Sequence, residues 1–438
     1  MPEAKLKATH RGQRGQTLLL VAVSLVVLIA MAALAIDVTT LYVARSEMQR
    51  AADAAALAGA KAFVDSGVTN DPANAYPNLR TLSQSMATII ITQLLAQDKV
   101  GSIAPSLSAG TPTFDFTTHP GDPRVTVTLQ RTNVPTFFAR IWGKTSTTVS
   151  ATATAEAYNS SNPSGTAADG TMPPVAPSCV KPLLVTNVDP NHAPQTFISP
   201  NGAITNPGVW TGAAGSGIVT EEITLGNIWP IPPGLTGLAG LPGYLAANIA
   251  ATSGPCPGCG SGTPSPMSQS IACCDTENVY TCGGTAGPPV LIDLLHQRVV
   301  SALEGVSCLI TGGTGGGGGS FGDDTIDFSE FQATSGGAPI EVRSGTGPNN
   351  GRLVTTSGQI VTLPIIDTTL LNAVLGQVKV IGFMQAFIKR TENKPGGGVN
   401  LVVDVLNISG CGSNINTAAT PVSGGGVSPV PVRLVQNP

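Results

Sequence analysis

TLLLVAVSLVVLIAMAALAI at residues 17–36, followed after Asp37 by VTTLYVARSEMQRAADAAALAGAKA at 38–62, is the stretch on which the fold turns. The first part carries no charge. As a helix rising about 1.5 Å per residue it covers roughly 30 Å, the thickness of one hydrocarbon core. Lys5, Lys7, Arg11 and Arg14 precede it and Asp37 closes it. A basic flank of this kind is expected to stay in the cytoplasm while the remainder is exported. The helix need not stop at Asp37. Leu41, Ala44, Met48, Ala51, Ala55, Ala58 and Ala62 recur at three- and four-residue spacing and line one face of a continuing helix. Arg45, Gln49, Arg50 and Asp53 fall on its other sides. Small residues at helical spacing let another element approach closely, so this face packs on the chain's own sheet or docks a partner.

Arg14-Gly15-Gln16, the apolar span, Asp37, Leu41-Tyr42-Val43-Ala44-Arg45 and the run from Gln49 through Ala-Asp-Ala-Ala-Ala-Leu-Ala-Gly-Ala at 52–60 carry a family resemblance. They resemble the N-terminus of TadE/TadG-like proteins, bacterial envelope proteins of Flp pilus assembly and tight adherence. The resemblance implies a setting in the inner membrane, with other pilin-like or tight-adherence secretion components as partners. Gly15-Gln16 resembles a prepilin-peptidase site and Ala33-Leu34-Ala35 a signal-peptidase site. Signal h-regions usually run shorter than this span, which favours an uncleaved anchor. Filament-building prepilins place a Glu five residues into the mature chain, and here that position is Leu20. A minor, scaffolding component is therefore expected rather than the repeating pilus subunit.

With 438 residues the chain has room for two or three domains. Only 11% of residues are charged, against roughly 25% in ordinary soluble domains, and Gly (52) and Pro (35) abound, which suits an exported envelope protein. The net charge of −4, with basic residues clustered only in the leader, argues against a nucleic-acid partner. All eight cysteines lie beyond residue 178, on the side expected to be exported.

Gly67, Asn70, Asp71 and Pro72 should break the long helix within 64–75. Residues 79–96 read as a second helix with a β-branched centre, strand being the alternative. Strands are expected at 113–117 and 124–130, the latter alternating Val125, Val127 and Leu129 with Thr126, Thr128 and Gln130. Residues 134–143 should form a short helix whose Phe137, Phe138 and Trp142 plug the sheet. In a final strand at 145–157, Val149, Ala151, Ala153 and Ala155 point inward and Thr148, Ser150, Thr152 and Thr154 outward. Strand, Pro-Thr-Phe-Phe-Ala-Arg, Gly and alternating strand again look like the TadE/TadG pattern, which extends the resemblance to residues 11–157. The expected fold is α+β. A basic leader (1–15) and transmembrane helix (16–36) lead into a pilin-like helix on a small antiparallel sheet (37–158). A Ser/Pro/Gly linker (159–178) and a Gly/Pro-rich, disulfide-stapled α+β domain (179–438) follow. In that domain 290–309 has helical spacing, 378–390 and 400–407 read as core strands, and 312–322 as a flexible loop.

Cys256-Pro257-Gly258-Cys259, Cys273-Cys274 and Cys282 form the densest chemical cluster. Its spacing is loosely compatible with zinc, and a redox pair would need a helix start that is missing here. An exported location favours disulfides, which would also involve Cys179, Cys308 and Cys411. Eight cysteines allow about 105 connectivities, among which sequence cannot choose. Asp323, Asp324, Asp327 and Glu330 offer oxygens for Ca²⁺ without the EF-hand spacing, so a solvated acidic turn is the plainer reading. Some larger TadG-like proteins carry an Asp-x-Ser-x-Ser metal site. Asp327-Phe328-Ser329-Glu330-Phe331 lacks its second Ser. The four histidines, His10, His119, His192 and His296, read as surface residues. No hydrolase, zinc-protease, P-loop or dinucleotide motif is present, so no catalytic residue, cofactor, resident metal or small-molecule substrate is inferred. The expected work is protein–protein interaction at a membrane. The alternative is an envelope-anchored enzyme or metal-binding module in the C-terminal domain.

Overall fold

The computed structural model describes residues 13–74, 76–119, 121–161, 172–208, 210, 217–228, 238–249, 265–282, 290–292, 299–311, 324–328, 341–345, 350–352, 357–372, 376–394, 398–412, 419–422 and 427–435. In chain order these form α1 (Gln13–Asp65), a 3₁₀ turn (Val68–Asn70), α2 (Pro77–Gln97), β1 (Ser106–Leu107), β2 (Thr113–Asp115) and β3 (Arg124–Pro135). A 3₁₀ turn (Ala139–Trp142), β4 (Ser146–Ala157), β5 (Leu183–Thr186), β6 (Glu222–Gly226), β7 (Tyr244–Ala246), α3 (Pro266–Ala272) and β8 (Val290–Leu291) follow. The remaining elements are α4 (Val299–Thr311), β9 (Thr325–Asp327), β10 (Glu341–Arg343), β11 (Ile360–Asn372), β12 (Gln377–Asn393), β13 (Val399–Gly410) and β14 (Val432–Val435). Helices with antiparallel sheets make the α+β class that the periodicities predict. The chain divides into two compact units, with boundaries inside α1, α2, β3 and β4.

The first unit comprises Met1–Ala55, Thr92–Pro112 and Val127–Ala153. Its strands obey the period-two pattern: Val127 and Leu129 of β3 and Val149, Ala151 and Ala153 of β4 are buried. Thr128 and Thr152 meet hydroxyl to hydroxyl at 3.1 Å across the strands. β1 extends the sheet antiparallel to β3, with Leu107 opposite Leu129. On α1, Glu47 accepts the Gly101 amide at 2.8 Å and Gln49 donates to the Thr152 carbonyl at 3.3 Å.

The second unit comprises Ala56–Ile91, Thr113–Thr126 and Thr154–Pro438. Its core is a seven-stranded sheet in the order β6-β13-β12-β11-β5-β7, with β8 on β12. All pairs are antiparallel except β11 with β5. β13 is buried on both faces, so its Val, Leu and Ile residues run nearly unbroken instead of alternating. Gly59 on α1 explains part of the small-residue run. A Cβ there would lie 2.8 Å from Ile91 and 3.2 Å from Val125, too close for any larger residue without displacement. Past Asp65 the helix stops at Gly67, whose φ of 70° is the left-handed conformation that commonly ends helices.

The turn after Gly67 is tied into the sheet by paired amides. Asn70 donates to the Asn407 side chain at 2.8 Å and accepts the Ile408 amide at 3.0 Å. Asn407 in turn donates to Gln385 at 2.9 Å and to the Val64 carbonyl at 3.2 Å. Asn159 adds bonds to the carbonyls of Thr69 and Ile408. β14, near the chain's C-terminal end, pairs antiparallel with β4 residues 154–157. It brings Arg433 to buried Glu156, which also takes Arg124. Disulfides join Cys179 to Cys274 and Cys282 to Cys411, and Cys273 and Cys308 are disulfide-bonded too. Cys256 and Cys259 lie outside the described residues. Cross-links spanning 95 and 129 residues restrict the unfolded chain strongly, by about 2–5 kcal/mol each.

Several expectations need correction. In the segment expected to be helical over 290–309, Val290 and Leu291 instead form β8 on β12, and α4 is described over Val299–Thr311. Thr154 is not outward. It is buried against Thr126 (2.8 Å) where β14 closes over β4. Of the expected linker, residues 159–161 and 172–178 are described, and Asn159, Ser160, Ser161, Met172 and Val175 are buried. Ser160 donates to the Gly410 carbonyl at 2.7 Å, so these described residues pack against the end of β13. Asp324 is likewise engaged: it accepts Ser357 Oγ at 2.6 Å and the Gly345 amide at 3.2 Å. The 312–322 loop, Asp323 and Glu330 lie outside the described residues.

Two outcomes follow for detergent-solubilised full-length protein. Asn407→Ala strands Asn70 and Gln385 in the interior and should lower unfolding stability by about 2–4 kcal/mol, read by denaturant titration. Burial pushes the Asp404 carboxyl up to about 6, with Lys389 opposing. A pKa raised above its unfolded value stabilises the fold at low pH and loses that contribution as pH climbs through about 4 to 6. Asp404→Asn should therefore match the wild type near pH 4 and exceed it by about 1–2 kcal/mol at pH 7.5.

Candidate membrane anchor and partner face

From Leu18 to Ile36 the large apolar side chains of α1 are 47–75% exposed, from Val27 at the low end to Leu18 at the high end. An apolar strip of that size is not left to water by a soluble fold. Among the described residues, one helix is long and apolar enough to cross a membrane, and it is this one. Its hydroxyls are satisfied within the helix: Ser24 donates to the Val21 carbonyl, Thr39 to Ala35 and Thr40 to Ile36, at 2.7–2.9 Å.

Asp37 is the first charge after the apolar span, and it is buried. Its carboxylate accepts the backbone amides of Phe137 (2.8 Å, Oδ1), Phe138 (3.0 Å, Oδ2) and Ala139 (2.7 Å, Oδ2). Three N–H donors converging on one carboxylate disperse its charge without a cation. The donors are free because they open the 3₁₀ turn Ala139–Trp142, where the first amides have no intrahelical acceptor. Phe137 is therefore not a plug against the sheet. Its backbone turns toward Asp37, leaving its ring 58% exposed and Ile141 77% exposed. Phe138 is half-buried. Arg140 and Lys144 are exposed on the same turn.

Further along α1, Ala44, Met48, Ala51, Ala55 and Ala62 are buried by the chain itself, while Leu41 and Ala58 are half-buried. Most of that face is thus covered by the chain's own residues, with Leu41 and Ala58 only partly so. Exposed positions on the same helix include Val38 (57%), Tyr42 (75%), Arg45 and Gln49, which fall on one side at helical spacing.

The histidines divide. His119 lies 3.1 Å from Asp115, whose carboxyl is held down at about 2: burial pushes it up, but the Thr118 amide, His119 and Thr117 outweigh that. His192 is not a surface residue. Its side chain is 11% exposed and sits between Asp189 and Glu221. Sequence reading missed it because Asp-Pro-Asn-His looks like any polar turn until Glu221 is brought beside it. His10 and His296 lie outside the described residues.

Residues 15–62 match the family model described as "Putative Flp pilus-assembly TadE/G-like". No curated protein and no solved structure matches the chain. The matched segment is the anchor helix together with its small-residue face and Asp37. With one helix fit to cross a membrane, it supports a membrane-anchored component of pilus assembly.

Asp37→Ala should release the 137–139 turn. Hydrogen exchange of those amides in micelles should rise by about thirtyfold or more, with Asp37→Asn intermediate because its amide keeps one acceptor oxygen.

Proposed function

We propose that this protein is a single-pass inner-membrane component of Flp-type pilus assembly, with a cytoplasmic N-terminus and its bulk exported. It acts by protein–protein contact as a minor pilin-like part of the tight-adherence machinery. The observation carrying this is the coincidence of the family match at 15–62 with an exposed apolar span that ends at Asp37. The basic leader favours the orientation, and Leu20 disfavours a filament-building role.

In this reading the Phe137–Ile141 turn, held to Asp37 at the end of the span, rests in the outer interface of the bilayer. Arg140 and Lys144 then meet lipid headgroups. Because the alanine face is used internally, the contact with other subunits falls to the exposed side at Val38, Tyr42, Arg45 and Gln49.

Deleting the gene should abolish surface piliation and attachment, with restoration by the full chain. Tyr42→Asp should restore less than a tenth of the pili at equal membrane abundance. Unchanged piliation in the deletion strain would overturn the proposal. A second reading, a metal-binding module in the exported part, is favoured by the buried cluster around His192.

A further inference from the structure

The loop leaving β5 and the residue preceding β6 bring three metal-ligating side chains together in the second unit. Asp189 Oδ1 accepts the Asn191 amide at 3.0 Å, which turns Oδ2 toward His192 Nδ1 at 2.9 Å. Glu221 Oε1 stands 3.6 Å from the same nitrogen and is held by Asn191 Nδ2 at 2.8 Å. The potential ligand atoms all lie within 4.8 Å of one another. Asp189 and Glu221 are each 1% exposed, and the Trp210 ring stands edge-on to the imidazole at 5.4 Å between centroids. Glu221 Oε2 is buried without a hydrogen-bond partner.

Among the described residues, His192 is the charge-bearing partner that reaches both buried carboxylates, and Glu221 Oε2 is left without one. A divalent cation taking the place of the Nδ1 proton neutralises both carboxylates and supplies the missing partner for Oε2.

We infer that Asp189, His192 and Glu221 form a binding site for a divalent transition-metal cation of the Zn²⁺ class. One imidazole nitrogen with two carboxylates favours such an ion over Ca²⁺ or Mg²⁺, which prefer oxygen alone. Three protein ligands leave a fourth position for water or an incoming group. Asn191 fixes the Glu221 oxygen from outside, the part that outer hydrogen bonds commonly play around metals. The inference goes beyond the pilus-assembly reading and does not depend on it.

The test uses full-length protein in detergent, disulfides intact, stripped with EDTA and titrated with Zn²⁺ by calorimetry and metal analysis. One equivalent should bind with proton release, raising the melting temperature reversibly to EDTA. Glu221→Gln and His192→Ala should each lose at least tenfold in affinity, and Glu222→Gln should retain it. The inference is overturned if folded wild-type protein takes up no Zn²⁺ or prefers Ca²⁺. It also fails if uptake survives His192→Ala, which marks adventitious surface binding. If either cluster variant does not fold, the wild-type stoichiometry and the preference for Zn²⁺ over Ca²⁺ decide alone.

Discussion

The hydrogen bonds between Asn70 and Asn407 are the constraint on which the second unit depends. The residues are 337 positions apart, yet each satisfies groups that the other's element leaves bare. Asn70 caps the Ile408 amide of β13, and Asn407 caps the Val64 carbonyl at the end of α1. Buried polar groups stabilise only when all are paired, so this knot tolerates few positions for the helix end against the sheet. Apolar burial supplies most of the energy in that region, but it is non-directional and would accept other registers. The amides select one.

A chain so poor in charge must account for each carboxylate that it buries. Asp37 is met by three backbone amides, Glu156 by Arg124 and Arg433, and Asp404 by Lys389 at 3.4 Å. These are three solutions to one electrostatic problem, and they differ in what they ask of the sequence. The backbone solution requires no partner residue, only a turn whose amides are unspent. The arginine solution is half supplied by Arg124 of β3 and completed when β14 brings Arg433. The lysine solution is partial, which is why Asp404 stays protonated to higher pH than an ordinary aspartate.

Much of the local structure was legible in the sequence. The apolar span, the break after Asp65, the second helix, the alternation in β3 and the apolar runs of β12 and β13 all follow from periodicity, which is a property of neighbours. What remained hidden depends on residues far apart. Phe137 and Phe138 looked like core because aromatics usually are, and nothing nearby announces that their amides serve an aspartate 100 residues earlier. Val290 and Leu291 carry helical spacing but find strand partners at 377–378. The disulfide partners and the Asp189–His192–Glu221 cluster likewise exist only once the loops are placed. The small-residue run at 51–62 was legible as a packing face, though its spacing alone does not say what it packs against.

β14 carries a consequence for the order of events during synthesis. It pairs with β4, some 280 residues earlier in the chain, and donates Arg433 to Glu156 and a cation–π contact to Tyr158 at 4.7 Å. Until residues 432–435 are made, this side of β4 is an open edge, and Glu156 has Arg124 but not yet Arg433. Synthesis makes β3 and β4 well before the strand that covers them. The nascent chain thus carries that edge unsealed for some 280 residues of synthesis, an interval in which wrong strand pairing is the hazard.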